Sequence, residues 1–283
     1  MISAAVRPRG PFSLRLSARL AGNATRTTAG GPLVAALAAG GIGRAWQQPD
    51  GVVQLRAPDQ AGLDELRFVL GLDADHSEFL TRYRDDPLLG RALPRLRGFR
   101  PLRLSTVTHA LLRAVAGQLI TARRAREIER TVIRAATPQL PGTFLHAPPT
   151  PATFSRFAPA ELRRLGLGAR RGATLVRLCR SFDLERLRSL PTHAAAERLE
   201  RERGLGPWSV GLVCMEGLGR FERGLVGDLG LVKLCSALWG RRVEPSETAE
   251  LLAPYGEWAG LAGVYLLNAW RLGLVPLPGR RAA

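Results

Sequence analysis

The stretch from Leu199 to Asp228 constrains this chain more than any other, because Gly204-Leu205-Gly206-Pro207 separates two helical patterns and a lone acid, Asp228, precedes a third. His193 to Arg203 is rich in Ala, Leu, Glu and Arg, all good helix formers, and Gly204 can take the left-handed conformation that closes a helix. Pro207 suits the first position of the next helix. The free N–H groups at such a start, together with the helix dipole, offer a phosphate oxygen a site that needs no side chain. A plain turn between helices would use the same residues, so the rest of the chain has to decide.

The formal net charge is +17, with a pI near 11.5. So unbalanced a surface repels itself unless a polyanion neutralises it, which leaves nucleic acid or an anionic membrane as partners. The apolar runs are short and broken by Arg, Gly or Pro, which leaves neither a membrane-spanning helix nor the apolar core of a signal peptide. No membrane partner is expected beyond surface attraction, and the expected location is the cytoplasm, with the nucleoid if the source is bacterial. At 283 residues, 46% of them hydrophobic, the chain can bury a sizeable core and divide into two or three units. Cys179, Cys214 and Cys235 are too few and too scattered for a zinc knuckle or a disulfide framework and read as core thiols. Lys233 is the only lysine.

In chain order, Met1 to Gly10 reads as a frayed end and Phe12 to Leu20 alternates apolar and polar residues as a half-buried strand does. Pro32 to Ala39 reads as a short helix. Gly43 to Gln47 and Val52 to Arg56 flank the turn sequence Gln48-Pro49-Asp50-Gly51 and predict a hairpin. Leu63 to Leu70 is a further helix. Beyond Asp73 the strand signals stop. Helices are expected over His76 to Arg84, Pro87 to Leu96, Thr106 to Leu119, Arg123 to Ala136, Pro159 to Leu165 and Ala169 to Arg180, and then on both sides of the hairpin. Leu140 to Pro151 reads as irregular and Gly166-Leu167-Gly168 as a structural turn. Asp228 sits where an N-cap would, Glu244 to Tyr255 is a short helix with Ser246 as its cap, Trp258 to Trp270 closes the fold, and a Pro- and Arg-rich tail follows Leu274. The fold class is therefore mostly α with a small amino-terminal α+β domain, residues 1–72, and a helical region, residues 73–283, that contains the hairpin at about 193–219.

Three ordered motifs carry a family resemblance: Arg113-Ala114-Val115-Ala116-Gly117-Gln118-Leu119-Ile120, then Gly204-Leu205-Gly206-Pro207-Trp208-Ser209, then Val226-Gly227-Asp228-Leu229-Gly230-Leu231. Over residues 98 to 267 the chain resembles the helix-hairpin-helix DNA glycosylases. The missing fourth cysteine excludes the iron–sulfur members and points to the branch that removes alkylated purines. The resemblance implies that Asp228 is the catalytic carboxylate, that the hairpin Gly204, Leu205 and Gly206 holds the DNA backbone, and that Gln118 and Leu119 sit where the family places a wedge that fills the gap left by an extruded base. On apolarity alone Leu119 would be a core leucine. Arg123, in a basic helix, is either a phosphate contact or part of a solvated face. The cationic base calls for aromatic faces. Trp208 is the first candidate for that pocket, with Leu212 where relatives are often aromatic and Tyr265, Trp258 or Trp270 as substitutes for the aromatic that Leu267 replaces.

Strand cleavage through a Schiff base needs an amine. The matching lysine of bifunctional relatives is here Trp208, which implies a monofunctional enzyme acting on 3-methyladenine- or 7-methylguanine-type bases in double-stranded DNA, as a monomer. No cofactor or side-chain metal site is expected, although the resemblance implies a monovalent cation at the hairpin backbone. The alternative is a non-catalytic helix-hairpin-helix protein that binds damaged or branched DNA.

Overall fold

The computed structural model describes residues 1–19, 21–29 and 31–277. Five antiparallel strands, β1 (Ile2–Val6), β2 (Arg26–Thr27), β3 (Leu33–Ala36), β4 (Ile42–Gln47) and β5 (Val53–Ala57), make one sheet in the order β1-β5-β4-β3-β2. The expected hairpin is β4–β5, closed by the Gln48 N–H bond to Val52 O at 2.8 Å and by Gly51 at φ 86°, a conformation a side chain would resist. In β4 and β5 buried residues alternate with exposed ones, so Ala45, Val53, Leu55 and Ala57 face a core while Arg44, Trp46 and Arg56 face outward.

Three amino-terminal expectations are corrected. Met1 to Gly10 is not frayed: β1 pairs along β5 from Ile2↔Ala57 to Val6↔Val53 and covers what would otherwise be an open sheet edge. The alternating run from Phe12 is a helix, α1 (Leu14–Ala18), capped by Ser13 Oγ accepting from Leu16 N at 3.3 Å, with Leu14 and Ala18 turned inward; Leu20 lies outside the described residues. Pro32 to Ala39 is not helical, because Leu33, Ala35 and Ala36 are drawn into β3 and buried between β2 and β4. Here sheet pairing overrides an alanine-rich composition. Helix α2 (Gln60–Leu70) begins at an Asp59 cap, ends at left-handed Gly71, and lays Leu63, Leu66 and Leu70 on the inner face of the sheet.

The helical part follows: α3 (Ser77–Arg82), α4 (Val107–Gly117), α5 (Ala122–Ala136), α6 (Pro151–Ser155), α7 (Pro159–Arg164), α8 (Ala169–Ser181), α9 (Thr192–Glu200), α10 (Pro207–Leu212), α11 (Leu229–Trp239), α12 (Thr248–Leu252) and α13 (Ala259–Arg271). Pro87 to Leu96, expected as a helix, is a succession of turns, since Pro94 has no N–H to donate and Gly90 favours coil. Glu244 to Tyr255 opens as a 3-10 turn at Pro245–Glu247, and its cap is Glu244, whose N–H bonds Glu247 Oε2 at 2.6 Å, rather than Ser246. The tail lies, from residue 278 on, outside the described residues.

Two buried apolar clusters result. One joins the sheet to α1 and α2, and the other runs through the helices. Arginines tie them together at carbonyl oxygens. Arg100, only 1% exposed, donates to Gly71 O at 2.5 Å, to Pro11 O at 2.9 Å and to Arg9 O. Arg26 reaches Arg103 O at 2.5 Å. Among the described residues no helix is long and apolar enough to cross a membrane.

Candidate active site

Helix α4 is fixed from below by a buried charge network. His109 Nε2 lies 2.7 Å from Glu129 of α5, Arg113 donates to both Glu129 oxygens at 3.0 and 2.9 Å, and Arg113 Nη1 reaches Glu216 at 2.5 Å. Burial opposes ionisation of Glu129, but Arg113 and the His109 hydrogen bond outweigh it and hold the carboxyl far below its ordinary range. The helix stops at Gly117. Gln118 leaves the helical conformation, and Leu119 takes φ 55°, a left-handed backbone that leucine rarely adopts. Its side chain is 84% exposed, so it is not a core leucine.

Gln118 links this loop to the hairpin. Its Nε2 donates to Gly204 O at 2.8 Å and to Ser209 Oγ at 3.1 Å, while its own carbonyl accepts from Arg171 of α8. Gly204, at φ 96°, packs where a Cβ would stand 2.5 Å from Thr174 Oγ1, so only glycine fits. A Cβ on Gly206 would meet nothing within 4 Å, and the outward side of the hairpin is open. Leu205 is the hairpin's anchor, buried in the helical core. The helix before the hairpin is braced by Glu202, which pairs with both Arg177 and Arg198. Burial opposes the charge on Glu202, and the two arginine hydrogen bonds more than offset it.

Trp208, in the first turn of α10, reaches across to the third motif. Its indole lies against Gly117, whose ideal Cβ would come 2.6 Å from Trp208 Cη2, and its Nε1 donates to Asp228 Oδ2 at 3.0 Å. Asp228 caps α11 through its other oxygen, Oδ1, which accepts from Gly230 N at 2.8 Å and Leu231 N at 3.3 Å. The loop before it is held by Thr248, fully buried, whose Oγ1 accepts from Gly227 N at 2.8 Å. Leu267 of α13 lies over the same turn, since a Cβ on Gly230 would meet its Cδ2 at 2.5 Å. One unbroken line of contacts thus runs from Leu119 through Gln118, the hairpin and Trp208 to Asp228.

The remaining pocket candidates are not gathered there. Tyr265 is fully buried against Phe79 and Phe99 and donates its hydroxyl to Phe99 O at 2.8 Å, which leaves it no free face for a base. Trp258 packs in the same layer, 5.8 Å from Phe79 and 6.2 Å from His76. Leu212 is a core residue. Trp270 is half-buried and, three residues beyond Leu267, shares its side of α13. Arg123 is exposed and paired with Glu127 at 3.2 Å within its own helix. Sequence reasoning missed Arg171 and Thr248, which have no local signal, and quoted Ser209 and Gly117 within their motifs without giving either a role.

The Gly117 contact gives a test. In Gly117→Ala the new methyl pushes on a rigid indole, and the indole cannot yield without loosening its bond to Asp228. We expect single-turnover turnover of substrate to fall about tenfold, equivalent to about 1.4 kcal/mol, with Tm lowered by a few degrees. An unchanged rate would mean that the Trp208–Asp228 bond does not matter to the reaction.

A mostly helical body joined to a small five-stranded antiparallel sheet matches the fold of solved helix-hairpin-helix DNA glycosylases. In sequence the chain resembles a 3-methyladenine DNA glycosylase. It is 26% identical over 211 residues to the DNA-3-methyladenine glycosylase of Bacillus subtilis (strain 168), a match covering 71% of this chain and 68% of that one. Its fold is similar to the 3-methyladenine DNA glycosylase of Archaeoglobus fulgidus, with a TM-score of 0.80, 20% identity and coverage of 96% of this chain and 99% of the other. The Clostridium acetobutylicum 8-oxoguanine glycosylase/lyase, solved with double-stranded DNA, is similar with a TM-score of 0.78, 16% identity and coverage of 97% and 99%. No protein-family model matches the chain.

Proposed function

We propose that this protein is a monofunctional DNA glycosylase that hydrolyses the N-glycosidic bond of alkylated bases, of the 3-methyladenine and 7-methylguanine type, in duplex DNA. The observation that carries the reading is Asp228, a carboxylate fixed by three N–H donors and coupled through Trp208 and Gln118 to an open hairpin and an exposed apolar residue. Taking a nucleotide out of the stack costs a few kcal/mol, less for a damaged base. In this proposal hairpin amides grip the phosphate beside the lesion and Leu119 fills the gap. Its backbone strain is affordable at a functional position because Gln118 and Arg171 pin the loop.

Bond breaking builds positive charge on the sugar. A carboxylate about 4 Å away, at an effective dielectric near 20, attracts that charge by roughly 4 kcal/mol, on the order of a thousandfold in rate. Asp228 is therefore assigned to stabilise the sugar cation and to orient the attacking water. An alkylated purine already carries positive charge and leaves readily, so one carboxylate suffices. For base recognition the proposal keeps Trp208 and Trp270, with Leu267 as a wall. No cofactor enters the chemistry. A monovalent cation at the hairpin carbonyls remains compatible, since Gly204 O gives one of its two lone pairs to Gln118.

One similar protein is a glycosylase/lyase by name and another a glycosylase, and the lysine count here speaks for hydrolysis alone. Lys233 is the only lysine in the chain, exposed on α11, and the position after Pro207 is Trp208. The test is incubation with methylated duplex DNA. Release of 3-methyladenine or 7-methylguanine with an intact abasic strand, and no borohydride-trapped adduct, is expected. Binding of abasic-analogue duplex without any base release would favour the non-catalytic DNA-binding alternative, and an adduct lost in Lys233→Ala would replace hydrolysis with lyase chemistry.

A further inference from the structure

The amino-terminal sheet buries one face against α2 and leaves the other uncovered, and that outer face is built for an anion. Arg44 on β4 stands directly opposite Arg56 on β5, and Trp46 opposite Gln54. Like charges paired across strands repel and destabilise a sheet unless something neutralises them. Among the described residues nothing does so: Arg44 and Arg56 form no ion pair, and neither do Arg15 and Arg19, which line the same groove from the α1 region. The four arginines and Trp46 line a groove of about 1040 Å³ that has no acidic side chain in its walls. Arg44 and Arg56 also line an adjoining hollow of about 500 Å³, so both guanidinium groups are open to a ligand from two sides.

The aromatic decides what kind of anion fits. Trp46 is 39% exposed although it is a large apolar ring on a solvent-facing strand position. In a duplex the base faces are stacked on one another and cannot meet it, whereas a single strand offers both free base faces and a phosphate at every step. Basic grooves with an aromatic platform are how proteins hold single strands without reading sequence. The candidate active site is made by α4, α10 and α11 and shares no residue with this face.

We propose that the outer face of the amino-terminal sheet is a second nucleic-acid site that holds a single-stranded segment, with Trp46 stacked on a base and Arg15, Arg19, Arg44 and Arg56 on its phosphates. In a protein acting on duplex DNA such a site would hold a displaced or frayed strand near the body of the enzyme. The site does not depend on the activity proposed above.

The test uses the full chain and a fluorescent single strand of about 12 nucleotides of mixed sequence, long enough for one such groove. Wild type is expected to bind it, with affinity falling steeply as salt rises and with part of the tryptophan emission quenched. The double variant Arg44→Glu/Arg56→Glu should weaken binding by about tenfold or more and flatten the salt dependence, and Trp46→Ala should weaken it about tenfold and remove the quench. All three positions are exposed, so melting should match wild type. Saturation with an abasic-analogue duplex should leave the single strand bound. Wild-type affinity in both variants, or one-for-one displacement by the abasic duplex, would overturn the proposal. A duplex of the same sequence that binds more tightly, and loses that binding in the Arg44/Arg56 variant, would overturn the assignment to a single strand.

Discussion

We expect Asp228→Asn to lower single-turnover excision on the order of a hundredfold or more, to bind an abasic-analogue duplex at least as well as wild type, and to melt within a few degrees of it. The geometry separates the two roles of this residue. As the cap of α11, Asp228 uses Oδ1, which accepts from Gly230 N and Leu231 N, and Asn is as good an N-cap as Asp. With its carbonyl at the cap, however, the Asn amide presents N–H groups to Trp208 Nε1, itself a donor, so the 3.0 Å bond is lost. The melting shift therefore reflects one missing hydrogen bond, about 1–2 kcal/mol, and the rate reflects the missing charge. Trp208→Phe is the matched control. It removes the same hydrogen bond and keeps the carboxylate, so it should cost far less rate than Asp228→Asn. Equal losses in the two variants would assign the effect to positioning, and full activity in Asp228→Asn would leave Asp228 a cap and nothing more.

The parts of this molecule that are legible in sequence are those specified by a few adjacent residues. Gly204, Gly206 and Pro207 define a turn and a helix start by their own backbone preferences, and the structure places Gly204 at φ 96°, although α9 already ends at Glu200 with Arg201 as its cap, so this glycine turns the hairpin and does not close the helix. The β4–β5 hairpin and the Asp228 cap are local in the same sense. The errors fall where neighbours distant in sequence decide. A five-residue helix at Leu14–Ala18 and a strand share the same apolar residues, and only the Ser13 cap distinguishes them. The alanines of β3 are chosen by the strands on either side. Around the candidate pocket, Tyr265 and Leu267 are two positions apart on α13 and so point to nearly opposite sides. Tertiary packing turns Leu267 towards Gly230 and Tyr265 into the core. Charge is a poor guide at Arg100 and Arg26, residues of a type that is mostly exposed, because both are buried where backbone carbonyls at the junction of the two clusters satisfy their donors.

His76 carries the largest expected effect on stability. Only 3% exposed, it sits edge-on to Phe221, with ring centroids 5.1 Å apart, and to Trp258, and neither ring nitrogen has a partner among the described residues. Burial, reinforced by Arg100 and Arg103 and only weakly opposed by Asp75, pushes its pKa down to about 3 from an ordinary 6.5. Between those values the unfolded chain holds a proton on this ring and the folded chain does not. Stability from His76 is therefore complete above pH 6.5 and is lost as pH falls towards 3, by roughly 5 kcal/mol at full extent and about 2 kcal/mol by pH 5. His109, which burial also pushes below its ordinary value, and Glu129, held ionised by Arg113 despite its burial, act with the same sign. Since His76 behaves as an aromatic hydrophobe, Phe should take its place in the cluster. We expect His76→Phe to be as stable as wild type at pH 7.5, within about 1 kcal/mol, and to lose about 2 kcal/mol less on going to pH 5 in urea-unfolding measurements, where the contributions of His109 and Glu129 cancel in the comparison. Parallel loss of stability in the two proteins over that range would mean that His76 is protonated in the folded state and that water or a carboxylate reaches its ring.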